Sequence, residues 1–239
     1  MLTKNRIKFA RSLRSKKERY SHSCFIIEGE KIVTEALNSQ IDIDEVIGLD
    51  SFANIMDEGL FTTASKKEMD SLSSLKHSPG VLAIANFIDW GEPLLDKGRF
   101  VLLDNINDPG NLGTIIRIVD WFGLDGIICS PTSVDVYNQK VVQASMGSLF
   151  RVPVWYADLE KTIKDSPLPT IAAVMEGEDF TKFSFPDSGL LLMGSESHGI
   201  SDELISLVDT PLTIPRKGNA ESLNVSVAAG ILCQAFANA

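Results

Sequence analysis

Cysteine is scarce in this chain: Cys24, Cys129 and Cys233 are the only three in 239 residues, far apart and without metal-ligand spacing. That excludes a disulfide framework and a Cys/His zinc site, and it points to a reducing compartment. No stretch approaches the roughly 18 uninterrupted apolar residues of a membrane-spanning helix. The segment after Met1 is basic and polar, unlike the apolar core of a secretory signal. A soluble, cytoplasmic protein without a metal is expected. Positive charge is also short, with a formal net charge of -10. This is the wrong sign for a generic polyanion binder, so an RNA partner requires the cations to be gathered in one place.

They are gathered at the N-terminus. Residues 1–19 hold eight of the 22 Lys and Arg against a single acid, Glu18: Lys4, Arg6, Lys8, Arg11, Arg14, Lys16, Lys17 and Arg19. The alternative is a solvated helix face beside an acidic body. With 44% hydrophobic residues the chain has material for two cores. From residue 100 onward, short apolar runs at 100–103, 126–129, 152–155, 170–174, 190–193 and 212–214 alternate with helix candidates at 112–122, 138–146, 157–164, 201–207 and 224–237. Such alternation predicts a parallel sheet covered by helices. Upstream, strands at 25–28, 43–49 and 81–85 and helices at 30–37 and 65–71 predict a smaller α/β unit. The polar segment 89–99, with Gly91, Pro93 and Gly98, has linker composition. The expected organisation is therefore 1–88, a linker 89–99, and 100–239.

Three segments of the second part carry polar chemistry. Segment 105–117, Asn-Ile-Asn-Asp-Pro-Gly-Asn-Leu-Gly-Thr-Ile-Ile-Arg, follows a strand, where α/β proteins place ligands. Ile115, Val119 and Phe122 form an apolar stripe, leaving Arg117 on the side of Gly113 and Thr114, where a guanidinium has room for a substrate group. The alternative is an exposed arginine paired with Asp120. Segment 190–199, Leu-Leu-Leu-Met-Gly-Ser-Glu-Ser-His-Gly, runs off a buried strand into a loop with Gly194, Glu196 and Gly199. Glycine permits close backbone approach and Glu196 can accept hydrogen bonds; the alternative is an ordinary turn capped by Ser201. His198, alone in a glycine-rich loop, is not assigned a role. No Gly-x-Gly-x-x-Gly follows the strand at 100–103, which argues against a nicotinamide or flavin site. Segment 212–229 joins a short strand to a small-residue helix through Ser222, Asn224 and Ser226, polar groups that can hold a ligand or cap the helix.

Taken in register, these segments resemble the SpoU/TrmH family of RNA 2'-O-ribose methyltransferases, a branch of the SPOUT superfamily. The family pattern Asn-x-x-Asp-Pro-x-Asn-x-Gly-x-x-x-Arg falls on Asn105 to Arg117, Gly-x-Glu-x-x-Gly on Gly194 to Gly199, and Ile-Pro with Ser-Leu-Asn-Val on Ile214-Pro215 and Ser222 to Val225. The stretch 144–153 is similar to the family's middle segment, with Gln143 where many relatives carry Arg. Segments 14–20 and 25–31 are similar to the start of its RNA substrate-binding domain.

The resemblance implies a C-terminal trefoil knot and a homodimer. It implies S-adenosylmethionine held largely by backbone near Met193, Gly194, Ile214, Ser222 and Leu223. Arg117 is then expected at the reacting hydroxyl or adjacent phosphate, with Asn111, Glu196, Ser222 and Asn224 completing the site. RNA, ribosomal in preference to transfer RNA, would be held by Arg6, Arg11, Arg14, Lys16, Lys17 and Arg19, with Arg216 and Lys217 near the reaction centre. Two rivals are a non-catalytic RNA-binding or ribosome-assembly protein of the same fold, and an α/β enzyme of small metabolites. The latter leaves the basic N-terminus and the register of three segments unexplained.

Overall fold

The computed structural model describes residues 2–55, 59–195 and 197–239. The chain divides into two compact units, the first comprising Met1–Asp89 and Asp135–Arg151, the second Trp90–Val134 and Val152–Ala239.

The first unit opens with a helical pair. Helix α1 (Lys4–Ser12) starts where the Thr3 hydroxyl accepts the Arg6 N–H at 3.2 Å, and α2 (Lys16–His22) ends at Ser23 in the left-handed conformation. Then come β1 (Cys24–Glu28), α3 (Glu30–Leu37), β2 (Ile43–Gly48), β3 (Phe61–Thr63), α4 (Lys66–Leu72) and β4 (Val81–Asn86). Helix α4 is opened by a reciprocal capping box between Ser65 and Glu68. The sheet order is β1-β4-β2-β3, antiparallel except for the β2/β3 pair. Every residue of β1 is buried: Cys24 to Ile27 as their apolar run predicts, and Glu28 although it carries a carboxylate. Ile26, Ile47, Met69, Leu72, Leu82 and Leu13 meet in this unit's core, each worth about 1.5–3 kcal/mol of burial. From the sequence, helices α1 and α2 are expected only as the alternative of a solvated helix face, and strand β3 not at all. The helical pair lacks a wide apolar stripe, and β3 is only three residues long.

The second unit begins with β5 (Arg99–Asp104), α5 (Pro109–Phe122) and β6 (Gly126–Cys129). Helix α5 starts three residues before the expected 112, because Asp108 caps it through the Asn111 N–H and Pro109 sits in its first turn. The chain then contributes α6 (Gln139–Ser145) to the first unit. The alternation of strands and helices in the sequence predicts instead that this helix covers the parallel sheet. Val141 and Val142 are buried, and Met146 and Gly147 turn the chain in left-handed conformations. A Cβ on Gly147 would stand 2.9 Å from the Cβ of Glu35, so the helix's exit fits closely against α3.

Back in the second unit follow β7 (Val154–Tyr156), α7 (Leu159–Asp165), β8 (Thr170–Asp179), β9 (Gly189–Gly194), α8 (Asp202–Ile205), β10 (Thr210–Thr213) and α9 (Val225–Ala237). Its six strands are all parallel, in the order β10-β8-β9-β5-β6-β7. The expected parallel sheet is present. Strand β8 runs five residues past the expected end at 174: its second half is exposed and acidic, which hides it from an apolar-run criterion, yet Glu178 and Asp179 pair with Leu212 and Thr213. The core gathers Phe100, Leu102, Ile128, Ala172, Leu190 and Leu192, while α5 and α9 pack together, Ile118 within 3.8 Å of a Cβ built on Gly230. Residues 90–98, expected as part of a linker, lie on this unit: the Trp155 indole N–H donates to the Gly91 carbonyl at 2.8 Å and the Ser166 hydroxyl to that of Leu95 at 3.1 Å.

Candidate active site

The three polar segments meet at the carboxyl edge of the parallel sheet. Strands β5 and β9 are neighbours, with Asp104 opposite Gly194, so the loops that follow them emerge side by side. The Asp104 carboxylate accepts the Ser201 N–H at 2.9 Å and ties the first loop to the second. In the second loop Ser195 and Gly199 exchange backbone hydrogen bonds at 3.1 and 2.8 Å, closing a tight turn. A Cβ on Gly194 would lie 2.1 Å from the Gly199 carbonyl carbon, backbone against backbone, which explains the need for glycine there. Ser201 occupies the N-cap position of α8, but its side chain makes no capping bond. Glu196 lies outside the described residues.

The loop after β5 is shaped from beneath. Asn105 has φ 57, a conformation uncommon for a residue with a side chain. It is held by two hydroxyls from the loop after β6: Ser130 accepts the Asn105 N–H at 2.9 Å and Ser133 accepts the Ile106 N–H at 3.1 Å. Ser130 and Ser133 also bond each other at 3.1 Å, and both are buried. Asp104, Ser130 and Ser133 were not singled out from the sequence. Their only signal is polarity at a strand's carboxyl end, and their partners are backbone groups brought close by the sheet order.

Beyond this loop α5 buries Leu112, Ile115, Ile116 and Val119 and leaves Arg117 exposed, the orientation expected from its spacing. The third segment joins here: the Asn224 side-chain amide donates to the Asn111 side-chain oxygen Oδ1 at 3.0 Å. Asn224 is also the N-cap of α9, accepting from the Ser226 and Val227 N–H groups, which is the capping alternative. Ser222 is exposed and does not cap the helix.

Beside this junction lies a cleft of about 610 Å3, within the size range of small-molecule sites. It collects Met193, Gly194, Ile214, Ser222 and Leu223, five residues expected at a cofactor, and has Arg216 and Lys217 on its wall. Leu212, Val225, Ala228 and Leu232 give it an apolar floor. Apolar walls interrupted by loop backbone suit an adenosine with a short zwitterionic tail: the walls take the flat base, and N–H and carbonyl groups satisfy its polar edge. The Arg216 guanidinium donates to the Ala220 carbonyl at 3.1 Å, bracing the loop between Pro215 and Glu221. Among the described residues no group of His, Cys, Asp and Glu is arranged to hold a metal ion.

The N-terminal cations fare differently from one another. Arg6 pairs with Asp44 and Glu45; burial works against its charge, but these hydrogen bonds outweigh it and raise its pKa. Arg14 donates to the carbonyls of Ser71, Leu72 and Ser73 at 3.2, 2.9 and 2.7 Å. Arg19 is 3% exposed; it donates from Nε to Asp135 at 3.1 Å, and from its terminal nitrogens to Asp135 and to the Leu13 and Arg14 carbonyls. Its guanidinium is used up inside the unit, which corrects its expected place among phosphate contacts. Arg11, Lys16 and Lys17 are exposed, Lys16 lying over the Tyr20 ring at 5.4 Å.

Comparison with known proteins adds the following. The SpoU rRNA Methylase family matches residues 98–234, and the MRM3-like substrate binding domain matches residues 4–83. The chain is similar to the 23S rRNA (guanosine(2553)-2'-O)-methyltransferase RlmP of Bacillus subtilis (strain 168), at 32% identity over 232 residues, 95% of this chain and 94% of that one. It is similar to the solved structure of a TrmH-family protein from Porphyromonas gingivalis, with TM-score 0.91 at 33% identity over 99% of this chain and 98% of that one. It is similar also to an AdoMet-bound rRNA methyltransferase from Sinorhizobium meliloti, with TM-score 0.88 at 29% identity over 100% of this chain and 96% of the other.

Proposed function

We propose that this chain, which belongs to the SpoU rRNA methylase family, transfers the methyl group of S-adenosylmethionine to a ribose 2'-hydroxyl of ribosomal RNA and works as a homodimer. One observation carries the reading: the Asn111–Asn224 hydrogen bond joins the Arg117 helix to the segment that walls the cleft. Cofactor and reacting group are thereby assigned to adjoining places. Likeness to the AdoMet-bound neighbour and to a 23S rRNA 2'-O-methyltransferase supports the identity of cofactor and substrate.

The cofactor supplies an electrophilic methyl on a sulfonium. Everything else falls to the chain: holding cofactor and ribose in line, excluding water, and stabilising the hydroxyl as it loses its proton. Met193, Gly194, Ile214, Ser222 and Leu223 line the cofactor's place. Arg117 faces the ribose or its phosphate; with a pKa above about 12 a guanidinium is a poor base, so its role is to bind phosphate and stabilise negative charge. Asn111 and Asn224 fix the junction, Glu196 is assigned to the reaction by the family's Gly-x-Glu-x-x-Gly pattern alone, and no metal is required. Residues 1–88 bind RNA through Arg11, Lys16 and Lys17, residues 100–239 carry the chemistry, and Arg216 and Lys217 meet RNA at the cleft.

The homodimer is supported by exposed apolar residues on the packed α5 and α9: Trp121 is 84% and Val227 52% exposed. Trp121 stands one turn from Arg117 on the same helix face, so a second copy covering it passes beside the reaction centre. A trefoil threading of β8 to α9 belongs to the same reading, in keeping with a sheet order that sets β9 between β8 and β5. Cytoplasmic residence accords with a ribosomal RNA substrate and with three free cysteines.

The test is transfer of labelled methyl from S-adenosylmethionine to ribosomal RNA from cells lacking this gene, followed by nucleoside analysis. A labelled 2'-O-methyl nucleoside is expected. No transfer, with RNA binding intact, would make the chain a binding protein of the same fold.

A further inference from the structure

We infer that the turn at residues 73–77 of the first unit is an RNA-contacting element in which Lys76, His77 and Leu75 touch the nucleic acid and Glu28 is a positioning residue. The inference rests on the reading of this chain as an RNA methyltransferase and names a contact surface for its substrate outside the basic N-terminus.

The turn is gripped by charged groups on two sides. Glu28, at the end of β1, is 4% exposed, and its carboxylate accepts from the Ser73 hydroxyl at 2.7 Å, the Ser74 N–H at 3.0 Å and the Ser74 hydroxyl at 2.7 Å. The Ser73 oxygen in turn accepts the Leu75 N–H at 3.1 Å. From the other side the Arg14 guanidinium takes the Ser71, Leu72 and Ser73 carbonyls at the end of α4, where the helix dipole is negative. Removing a carboxylate from water is costly unless its acceptors are filled. Here all three donors come from two consecutive residues of one turn. Together with the Arg14 contacts they fix the course of the chain through the turn.

What the turn displays is Leu75, 38% exposed, followed by exposed Lys76 and His77, before Pro79 and Gly80 lead into β4. Gly80 has φ 82, and a Cβ there would meet the Phe52 ring at 3.0 Å, so the turn's exit is as constrained as its entry. An ammonium beside an imidazole and an aliphatic group, presented rigidly, suits a phosphate next to an unstacked base: charge for the backbone, flat and apolar surfaces for the base face. A single-stranded or loop segment of RNA has both groups accessible.

The full chain with unmodified ribosomal RNA, from cells lacking this gene, provides the test. The double variant Lys76→Ala/His77→Ala is expected to weaken RNA binding about tenfold, as for loss of one charge-assisted contact, and to lower the slope of log affinity against log salt by about 1. The change should appear in KM for RNA, with cofactor affinity retained. Glu28→Ala should shift KM the same way and also lower Tm. Glu28→Gln keeps an acceptor for the Ser74 N–H, lets the Ser73 hydroxyl accept, and should restore both. A double variant with wild-type affinity and salt slope, in a chain that methylates the RNA, would overturn the role of the turn alone. A wild-type chain that neither binds nor methylates the RNA would overturn the functional reading and this inference with it.

Discussion

Asn224 donates its side-chain amide to the Asn111 oxygen at 3.0 Å while its own oxygen caps α9. One residue thus sets the start of a helix and the junction between two polar segments 113 positions apart in the chain. The roles separate on substitution. Asn224→Ala loses both and is expected to cost about 1 kcal/mol of stability through the lost cap, with a fall in turnover. Asn224→Ser keeps a capping oxygen and should lose turnover only. In a double-mutant cycle with Asn111→Ala the turnover losses should be less than additive by about 1 kcal/mol. Additive losses would mean that the two amides act separately.

Arg117 points away from the buried stripe of α5. Arg117→Ala is expected to lower turnover by about 10²–10³, as when one transition-state donor is removed, with cofactor affinity unchanged by calorimetry. Arg117→Lys should restore little, because an ammonium lacks the planar two-pronged donor set. Wild-type turnover in either variant would remove Arg117 from the reaction centre.

For Arg19 the structure and a phosphate-contact role make opposite forecasts. Its guanidinium and the Asp135 carboxylate are 3% and 4% exposed. Arg19→Met should leave Asp135 buried without a charged partner, held only by the Tyr20 hydroxyl and the Tyr137 N–H, at a cost of about 3 kcal/mol, seen as a lower denaturant midpoint. Arg19→Met/Asp135→Leu should recover much of that loss. Unchanged stability with weakened RNA binding would restore Arg19 to the RNA-binding set.

The buried acids of the chain should make it sensitive to alkali. Burial raises Cys129 and Cys233 from an ordinary 9 to about 12, and it is the largest cause raising Tyr137 from 10 to about 12. Groups with raised native pKa contribute stability that is present below their unfolded values and is lost as pH rises through the folded ones. Stability should therefore decline between pH 9 and 12, as followed by chemical unfolding across that interval. At pH 8 the native thiols should resist iodoacetamide, since the thiolate is the reactive form. Rapid alkylation of Cys129 without unfolding would contradict its burial.

Much of this was legible in the sequence because it depends on local period and short-range order. The apolar runs of β5, β6 and β9 lie between turn residues, Asp108 and Pro109 mark the start of α5, and Arg117 sits opposite its apolar stripe. These features need only the residues next to them. The gathering of Met193, Gly194, Ile214, Ser222 and Leu223 could be anticipated from a resemblance, but not from spacing, because it depends on which strands are neighbours. Tertiary structure alone decided the rest. A basic N-terminus reads as one cationic patch, yet Arg6, Arg14 and Arg19 are spent on partners inside the unit, among them groups 38 to 116 residues away in sequence. Helix α6 reads like any cover for a parallel sheet, yet it belongs to the first unit. Ser130, Ser133, Asp104 and Glu28 look like ordinary loop or strand-end polar residues until their backbone partners arrive. A hydrogen bond holds over about 3 Å, and which groups come that close is fixed by strand order and packing, not by distance along the chain.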